Sequence, residues 1–382
     1  MPCQPIVGST ARDKLLVTTF VLLAAVESIV VAEAHGGHGI LGALLYAMML
    51  GAAVSWLLLR AHGDNFRRVF SSRVFWISIV LLIGVLAEKH YLSTLGIQNR
   101  ISTAKALEFP ARALLLHGHD LYSVTAGETP ISPGPGWIIL WAPLSIFNLT
   151  AFIPVLALLF AYGVLFRRDR VRAGLFALLM LVQMLFLSEM RNGQDLFAIS
   201  LMLVALALLL EDAPVSNHHL VLLGVLGGII ASARIPMIIM TSLIGLGLWR
   251  RDRRVGTIFL ALSVGTAMVW HGLFYLWAIY DGDWYQPLHV LGRASRAGKK
   301  PRLLSMSALP VVLMGIYRRM GKTSMTWLLS TFLLMITLFA PVGIGEYLES
   351  RQLDWEGANY IVFPVPLLLT YILFHTLQRR DA

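Results

Sequence analysis

The chain has 382 residues, 57% of them apolar and only 14% charged, with a formal net charge of +10. A mean hydropathy of +0.72 is more than a soluble core can hide, so the composition excludes a water-soluble enzyme and predicts an integral membrane protein. Topology and lipid headgroups account for the basic excess, which leaves no reason to invoke nucleic acid. The single cysteine, Cys3, allows no internal disulfide.

Apolar stretches recur at about 15–34, 39–59, 74–90, 136–166, 174–190, 194–211, 219–233, 237–249, 256–278, 304–317, 324–343 and 358–377. Most approach the roughly 20 residues that cross a hydrocarbon core as a helix. The expected fold is therefore all-α, a polytopic integral membrane protein with about twelve transmembrane helices. The first stretch follows Arg12 and Lys14 and is read as a retained helix, because it outruns the roughly 7–15 apolar residues of a signal peptide. Residues 1–60 are expected to form an N-terminal two-helix hairpin and 61–382 the transmembrane core.

Basic clusters at Arg12/Lys14, Arg60/Arg67/Arg68/Arg73, Arg167/Arg168/Arg170/Arg172, Arg250/Arg251/Arg253/Arg254, Arg318/Arg319/Lys322 and Arg379/Arg380 all fall on one side when twelve spans are counted. That side is cytoplasmic by the positive-inside rule, and it holds both termini. The elaborated loops, at about 91–135, 279–303 and 344–357, then lie on the outer face. In the first of them Ile101 to Leu115 mixes apolar and basic residues, as a helix lying on the membrane surface would. His117-Gly118-His119-Asp120-Leu121-Tyr122 follows, and then a Pro/Gly-rich turn from Pro130 to Gly136.

Two polar breaks interrupt the apolar runs on that outer side, Met190-Arg191-Asn192-Gly193-Gln194-Asp195 and Ser232-Ala233-Arg234-Ile235-Pro236. The runs flanking Arg234 are only about 20 Å long at 1.5 Å per residue, against a core of roughly 30 Å, so this turn should lie below the outer surface. Pro236 suits the first turn of the next helix, whose start adds partial positive charge beside the guanidinium. A cation at such depth survives where it lines a polar cavity or is buried in protein, which makes both turns candidates for holding an anion.

Arg191-Asn192-Gly193-Gln194, the Gly-rich stretch Gly224-Val225-Leu226-Gly227-Gly228, Arg234-Ile235-Pro236 and the upstream segments Ala113 to Tyr122 and Trp141-Ala142-Pro143-Leu144 together resemble the bacterial polyprenyl-phosphate-mannose-dependent mannosyltransferase family. That family belongs to the GT-C class of membrane glycosyltransferases, and the resemblance covers about 74–377. It implies a bacterial inner-membrane enzyme with its site on the outer face. Such an enzyme moves a hexose, plausibly mannose, from a polyprenyl-phosphate donor to a lipid or glycan acceptor, with inversion. On these residues Arg191, Gln194 and Arg234 would bind the donor phosphate, an arginine fork suiting phosphate better than a lysine.

The family places a catalytic aspartate early in the first outer loop, where this chain reads Ser102-Thr103-Ala104-Lys105 with no acid. Glu108, Asp120 and Glu88 are the candidate replacements. Against a catalytic role, Glu108 has Lys105 and Arg112 one helical turn away, Asp120 suits a loop cap, and Glu88 adjoins Lys89. The loop at 279–303 adds His289 and Arg293 for the phosphate, and Trp284 and Tyr285, with Tyr122, for a sugar face or an interfacial aromatic belt. Its basic run Arg293, Arg296, Lys299, Lys300 and Arg302 suits anionic headgroups or the lipid-phosphate donor.

No cofactor is expected. His117, His119 and Asp120 offer three metal ligands, and His35 and His38 share an outer turn, but neither set has helix-spaced partners. Two other functions use similar materials: an O-antigen-type polymerase or ligase, and a lipid-linked-sugar flippase or secondary transporter. A transporter would place ionisable residues near the bilayer midplane, whereas polar residues here cluster at the outer ends of the spans.

Overall fold

The computed structural model describes residues 11–34, 39–60, 64–94, 104–126, 130–212, 217–289, 299–350 and 360–376. Among them the regular structure is helical: α1 (Ala11–Ala34), α2 (Gly39–Arg60), α3 (Asp64–Phe70), α4 (Arg73–Thr94), α5 (Lys105–His117), α6 (Pro135–Ser145), α7 (Phe152–Arg168), α8 (Arg170–Leu181), α9 (Met184–Asn192), α10 (Leu196–Asp212), α11 (Asn217–Ser232), α12 (Met237–Arg251), α13 (Arg253–Asp281), α14 (Lys299–Arg319), α15 (Ser324–Ser350) and α16 (Val365–Tyr371). A 3-10 turn at Gln286–Leu288 follows α13.

Among the described residues three segments are long and apolar enough to cross a membrane, Arg73–Ser93, Arg253–Asp281 and Ser324–Gly345, and the bent pair α8 and α9 would make a fourth. Leu15–Val26, Leu44–Val54, Asn217–Ser232 and Tyr360–Phe374 are shorter apolar helices. The centre of the bundle is α10, apolar all round and buried from Phe197 through Leu208. A helix without a polar face belongs in a protein core or in a membrane, and here α7, α9, α11, α12, α15 and α16 wrap it.

The Gly-rich helix α11 lies along α13, the most extensive helix pairing among the described residues. A Cβ at Gly228 would come within 2.4 Å of the Thr266 Cβ, so this spacing requires glycine. Small residues repeated along one helical face bring backbones together in this way. α1 and α2 pack on each other, and α1 also touches α9 and α16.

Four expectations are corrected. The run 136–166 is two helices, broken between Ser145 and Phe152 where Asn148 adopts a left-handed φ of 59°. The run 174–190 bends by 71° between Leu181 and Met184. The described part of the segment 101–115 is not a free surface helix: α5 starts at Lys105, and Leu107, Glu108 and Ala111 are buried against the bundle. Finally, α15 runs on to Ser350, so the loop expected from 344 is helical in its first half.

The polar groups collect at opposite ends of the bundle. At one end the Arg168 guanidinium bonds Asp212 (2.7 and 2.9 Å), Glu211 (2.6 Å) and Ser324. Arg251 reaches the Glu211 carbonyl and Arg250 the Met320 carbonyl nearby. These are the connections assigned to one side from the charge pattern. The breaks at 190–195 and 232–236 meet at the other end.

Candidate functional site

α9 stops at Gly193, whose left-handed φ of 64° lets the chain reverse, and Gln194 N–H closes the turn on the Glu189 carbonyl at 2.9 Å. Glu189, fully buried, accepts the Phe197 N–H at 2.8 Å and so satisfies an open donor of the α10 N-terminus. That leaves the Asp195 side chain, at the head of α10, to point elsewhere. It receives the indole N–H of Trp137 at 2.6 Å and the Arg234 guanidinium through two bonds, 2.9 and 3.3 Å.

Arg234 is therefore neutralised. Its Nη1 also donates to the Ala233 carbonyl at 2.8 Å, and Asp195 has no exposed surface. The two-pronged geometry matches a planar fork to a carboxylate, the strong form of this pair. Pro236 caps α12 from just outside it, one position before the first helical turn expected for it. Arg191 stands exposed on the last turn of α9, and Gln194 is half-buried beside it.

The loop after α5 packs onto the Arg234 turn. Gly134 N–H bonds the Ala233 carbonyl at 3.1 Å, and a Cβ at Gly134 would sit 1.8 Å from the Ser232 oxygen, so only glycine allows this approach. Gln286 sews the same loop to the turn after α13: its amide donates to the carbonyls of Tyr122 (2.6 Å) and Val124 (2.8 Å) and accepts from Ile131 N–H (2.6 Å). His289 does similar work. Its Nδ1 donates to the Gln286 carbonyl at 2.7 Å, which leaves Nε2 to accept from the Ser132 hydroxyl at 3.2 Å. It ties loops together, so the phosphate-donor role expected of it would compete with these bonds.

Tyr122 and Tyr285 form the aromatic heart of this region, ring centroids 4.9 Å apart and edge to face. Tyr122 donates its hydroxyl to the Pro133 carbonyl at 3.1 Å, and Tyr285 pairs its own with His271 Nδ1. Burial pushes both phenols above their ordinary range. Trp284, by contrast, is 54% exposed, its ring edge-on to His289.

Asp120 lies next to this aromatic pair. It is 1% exposed; Oδ2 accepts the Tyr122 N–H at 3.2 Å, while Oδ1 is buried with no hydrogen-bond partner. Burial lifts its carboxyl from 3.8 to about 6, and the negative charges of Asp283 and Asp281 add to the lift. Such a group is part-ionised near neutrality and has an oxygen free to take a proton, which is what a general base needs.

Glu108 makes neither of the ion pairs considered for it: Oε1 accepts from the Tyr91 and Thr150 hydroxyls. Arg112 turns instead to the Ile146 carbonyl and the Asn148 amide oxygen. Glu88 is buried on the same side of the bundle, close enough to feel the charge of Glu108. Thr150 is also the neighbour of Gly193, a Cβ there meeting its hydroxyl at 2.7 Å.

The structure thus joins Asp120, Tyr122, Tyr285 and the Arg234 turn into one region, and Glu88 and Glu108 into another that borders the Gly193 turn. Arg293, His35 and His38 lie outside the described residues. Among the described residues no three of His, Cys, Asp and Glu converge as metal ligands, and the His117 and His119 rings stand 6.3 Å apart. Sequence reasoning missed Trp137, Glu189, Gln286 and His271, whose partners are remote in the chain. Asp195 was visible inside the polar break but had no assigned partner. The chain matches no protein-family model, no curated protein and no solved structure.

Proposed function

We propose that the chain is a polytopic membrane protein whose Asp120 end faces outward and transfers a hexose from a polyprenyl-phosphate donor to a lipid or glycan acceptor. Exposed apolar side chains along α4 and α13, such as Val74, Leu82, Leu273 and Leu276, support burial in lipid, since so much apolar surface is not left in water. With the broken pairs α6/α7 and α8/α9 each taken as one span, the helices are compatible with twelve crossings, the shorter ones sheltered by their neighbours. The Arg168 end, rich in basic residues, is then cytoplasmic, and the bacterial inner membrane follows from the family resemblance.

The observation that carries the enzymatic reading is the unpartnered, buried Oδ1 of Asp120 beside Tyr122, whose phenol feels the Arg234 charge. Asp120 accepts the proton of the acceptor hydroxyl as that oxygen attacks the anomeric carbon. The bond from that carbon to the phosphate oxygen breaks, and the lipid phosphate leaves with the electron pair, inverting the sugar. Because Arg234 is already balanced by Asp195, it orients the site, and the phosphate charge falls to Arg191 and the basic stretch containing Arg293.

The test uses purified protein in vesicles with radiolabelled polyprenyl-phosphate hexoses and bacterial lipid extract as acceptor. Wild-type protein is expected to form a labelled product, and Asp120→Asn to lower its rate by roughly 10²–10⁴. Absence of product with every donor sinks the reading. Full activity in Asp120→Asn alongside inactive Glu88→Gln or Glu108→Gln would move the base to the other acids.

A further inference from the structure

Glu88 and Glu108 have no task in that transfer. Glu108, on α5, is buried, and two hydroxyls, Tyr91 Oη and Thr150 Oγ1, converge on its Oε1. Glu88, on α4, is 5% exposed, and both of its oxygens are buried without a hydrogen-bond partner. The Ala151 N–H is close enough to act on Glu88 but does not make a well-directed bond. Tyr91, which holds Glu108, stands one helical turn from Glu88 on α4, and Thr150, which also holds Glu108, precedes Ala151, so the two carboxyls are neighbours.

We infer that Glu88 and Glu108 form a proton-binding site, in which Glu88 carries the proton and Glu108 is the carboxylate. Two neighbouring carboxyls in a low-dielectric interior do not both stay ionised. The two hydroxyl donors stabilise charge on Glu108, and nothing comparable serves Glu88, so the proton belongs to Glu88. The elements packed on α4 carry other charged or titratable groups: Arg73, Lys89 and His90 on α4 itself, Tyr162, Arg167 and Arg168 on α7, Arg170 and Arg172 on α8, Glu189 and Arg191 on α9, and Lys105 and Arg112 on α5, which Tyr91 ties to α4. Arg112 is bound by Ile146 and Asn148, and Glu189 caps α10. None of these cations forms an ion pair with either glutamate among the described residues.

The site has a mechanical consequence. Thr150 bridges Glu108 to the Gly193 turn, so the proton couples the contact between α4 and α5 to the start of α10. Loss of the proton leaves two negative charges facing each other and loosens that junction. This holds whether or not the chain transfers sugars.

The experiment is labelling of the full chain in lipid vesicles with dicyclohexylcarbodiimide. This apolar reagent takes the proton of a carboxylic acid on its nitrogen while the carboxyl oxygen adds to its carbon. Peptide mass spectrometry at neutral pH is expected to find the adduct on Glu88 and not on Glu108, and to find less as the pH rises. Glu88→Gln should remove the adduct and melt with the wild type, since it replaces an uncharged group with an uncharged one. Removing both hydroxyl donors with Tyr91→Phe and Thr150→Val should make Glu108 reactive as well. An unlabelled Glu88 in folded wild-type protein overturns the proposal, and so does a Glu88→Gln variant that melts far below it. Protection of Glu88 by sodium ions at fixed pH would assign the pair to a metal cation and overturn it too.

Discussion

Arg234 and Asp195, 39 residues apart, grip each other through Nη2 to Oδ1 at 2.9 Å and Nη1 to Oδ2 at 3.3 Å, with the Trp137 indole on the same carboxylate at 2.6 Å. The pair pins the turn before α12 to the head of the central helix α10 and orients both against the loop that carries Asp120 and Tyr122.

Breaking that pair on one side strands a buried charge. Asp195→Ala and Arg234→Ala should each destabilise by about 3–5 kcal/mol, whereas replacing both residues with apolar ones of similar volume should recover much of the loss. Thermal unfolding of the three variants in detergent micelles measures this. A double variant no better than the singles would mean that the pair acts through packing alone.

Trp137→Phe keeps the ring but removes the N–H that Asp195 accepts. Hydrogen bonds to a charged group contribute about 1.5–3 kcal/mol, so this variant should lose about that much and less than Asp195→Ala. Unfolding in the same micelles ranks the two.

Glycine substitutions should separate close approach from backbone conformation. Gly134→Ala drives a methyl into the Ser232 oxygen, with 1.8 Å between them, and should abolish folding or displace the whole loop. Gly118 has open space around it but a φ of 67°, so Gly118→Ala should cost only about 1–2 kcal/mol, the penalty of a left-handed residue with a Cβ. Yield and melting temperature of the folded protein distinguish them.

The pH dependence follows from Asp120. Its carboxyl titrates at about 6 in the folded chain instead of 3.8, so folding favours the protonated form. The stability it contributes is full below about 4 and is lost as the pH rises through about 6. In the proposed transfer activity runs the other way, because the general base we assign to Asp120 must be ionised: product formation should climb as the pH rises through about 6 and then level off. Asp120→Asn should flatten the stability change and abolish the activity limb, as unfolding and product formation measured across pH will check.

Composition and spacing determined the helical fold, the apolar runs, the breaks at Gly193 and Arg234, and the basic character of the connections around Arg168, Arg250 and Arg251. These are local properties: hydropathy counts, helix stops and charge positions are written along the chain. The same reading named Asp120 as one of three candidate acids and Tyr122, Trp284 and Tyr285 as candidate aromatic contacts, because they are polar or aromatic residues in the connections between apolar runs.

Only the tertiary structure decided who faces whom. A residue's type does not reveal a partner 39 or 155 positions away, as for Arg234 with Asp195 or Gln286 with Ile131. Arg234 therefore read as an unpaired cation, and Glu108 as a surface helix residue with Lys105 or Arg112 for company. Packing also broke the runs at 146–151 and 182–183, since an unbroken apolar stretch looks the same whether it continues straight or bends around its neighbours. The meeting of Glu88 and Glu108 depends on the break after α6, which sets Thr150 and Ala151 between them.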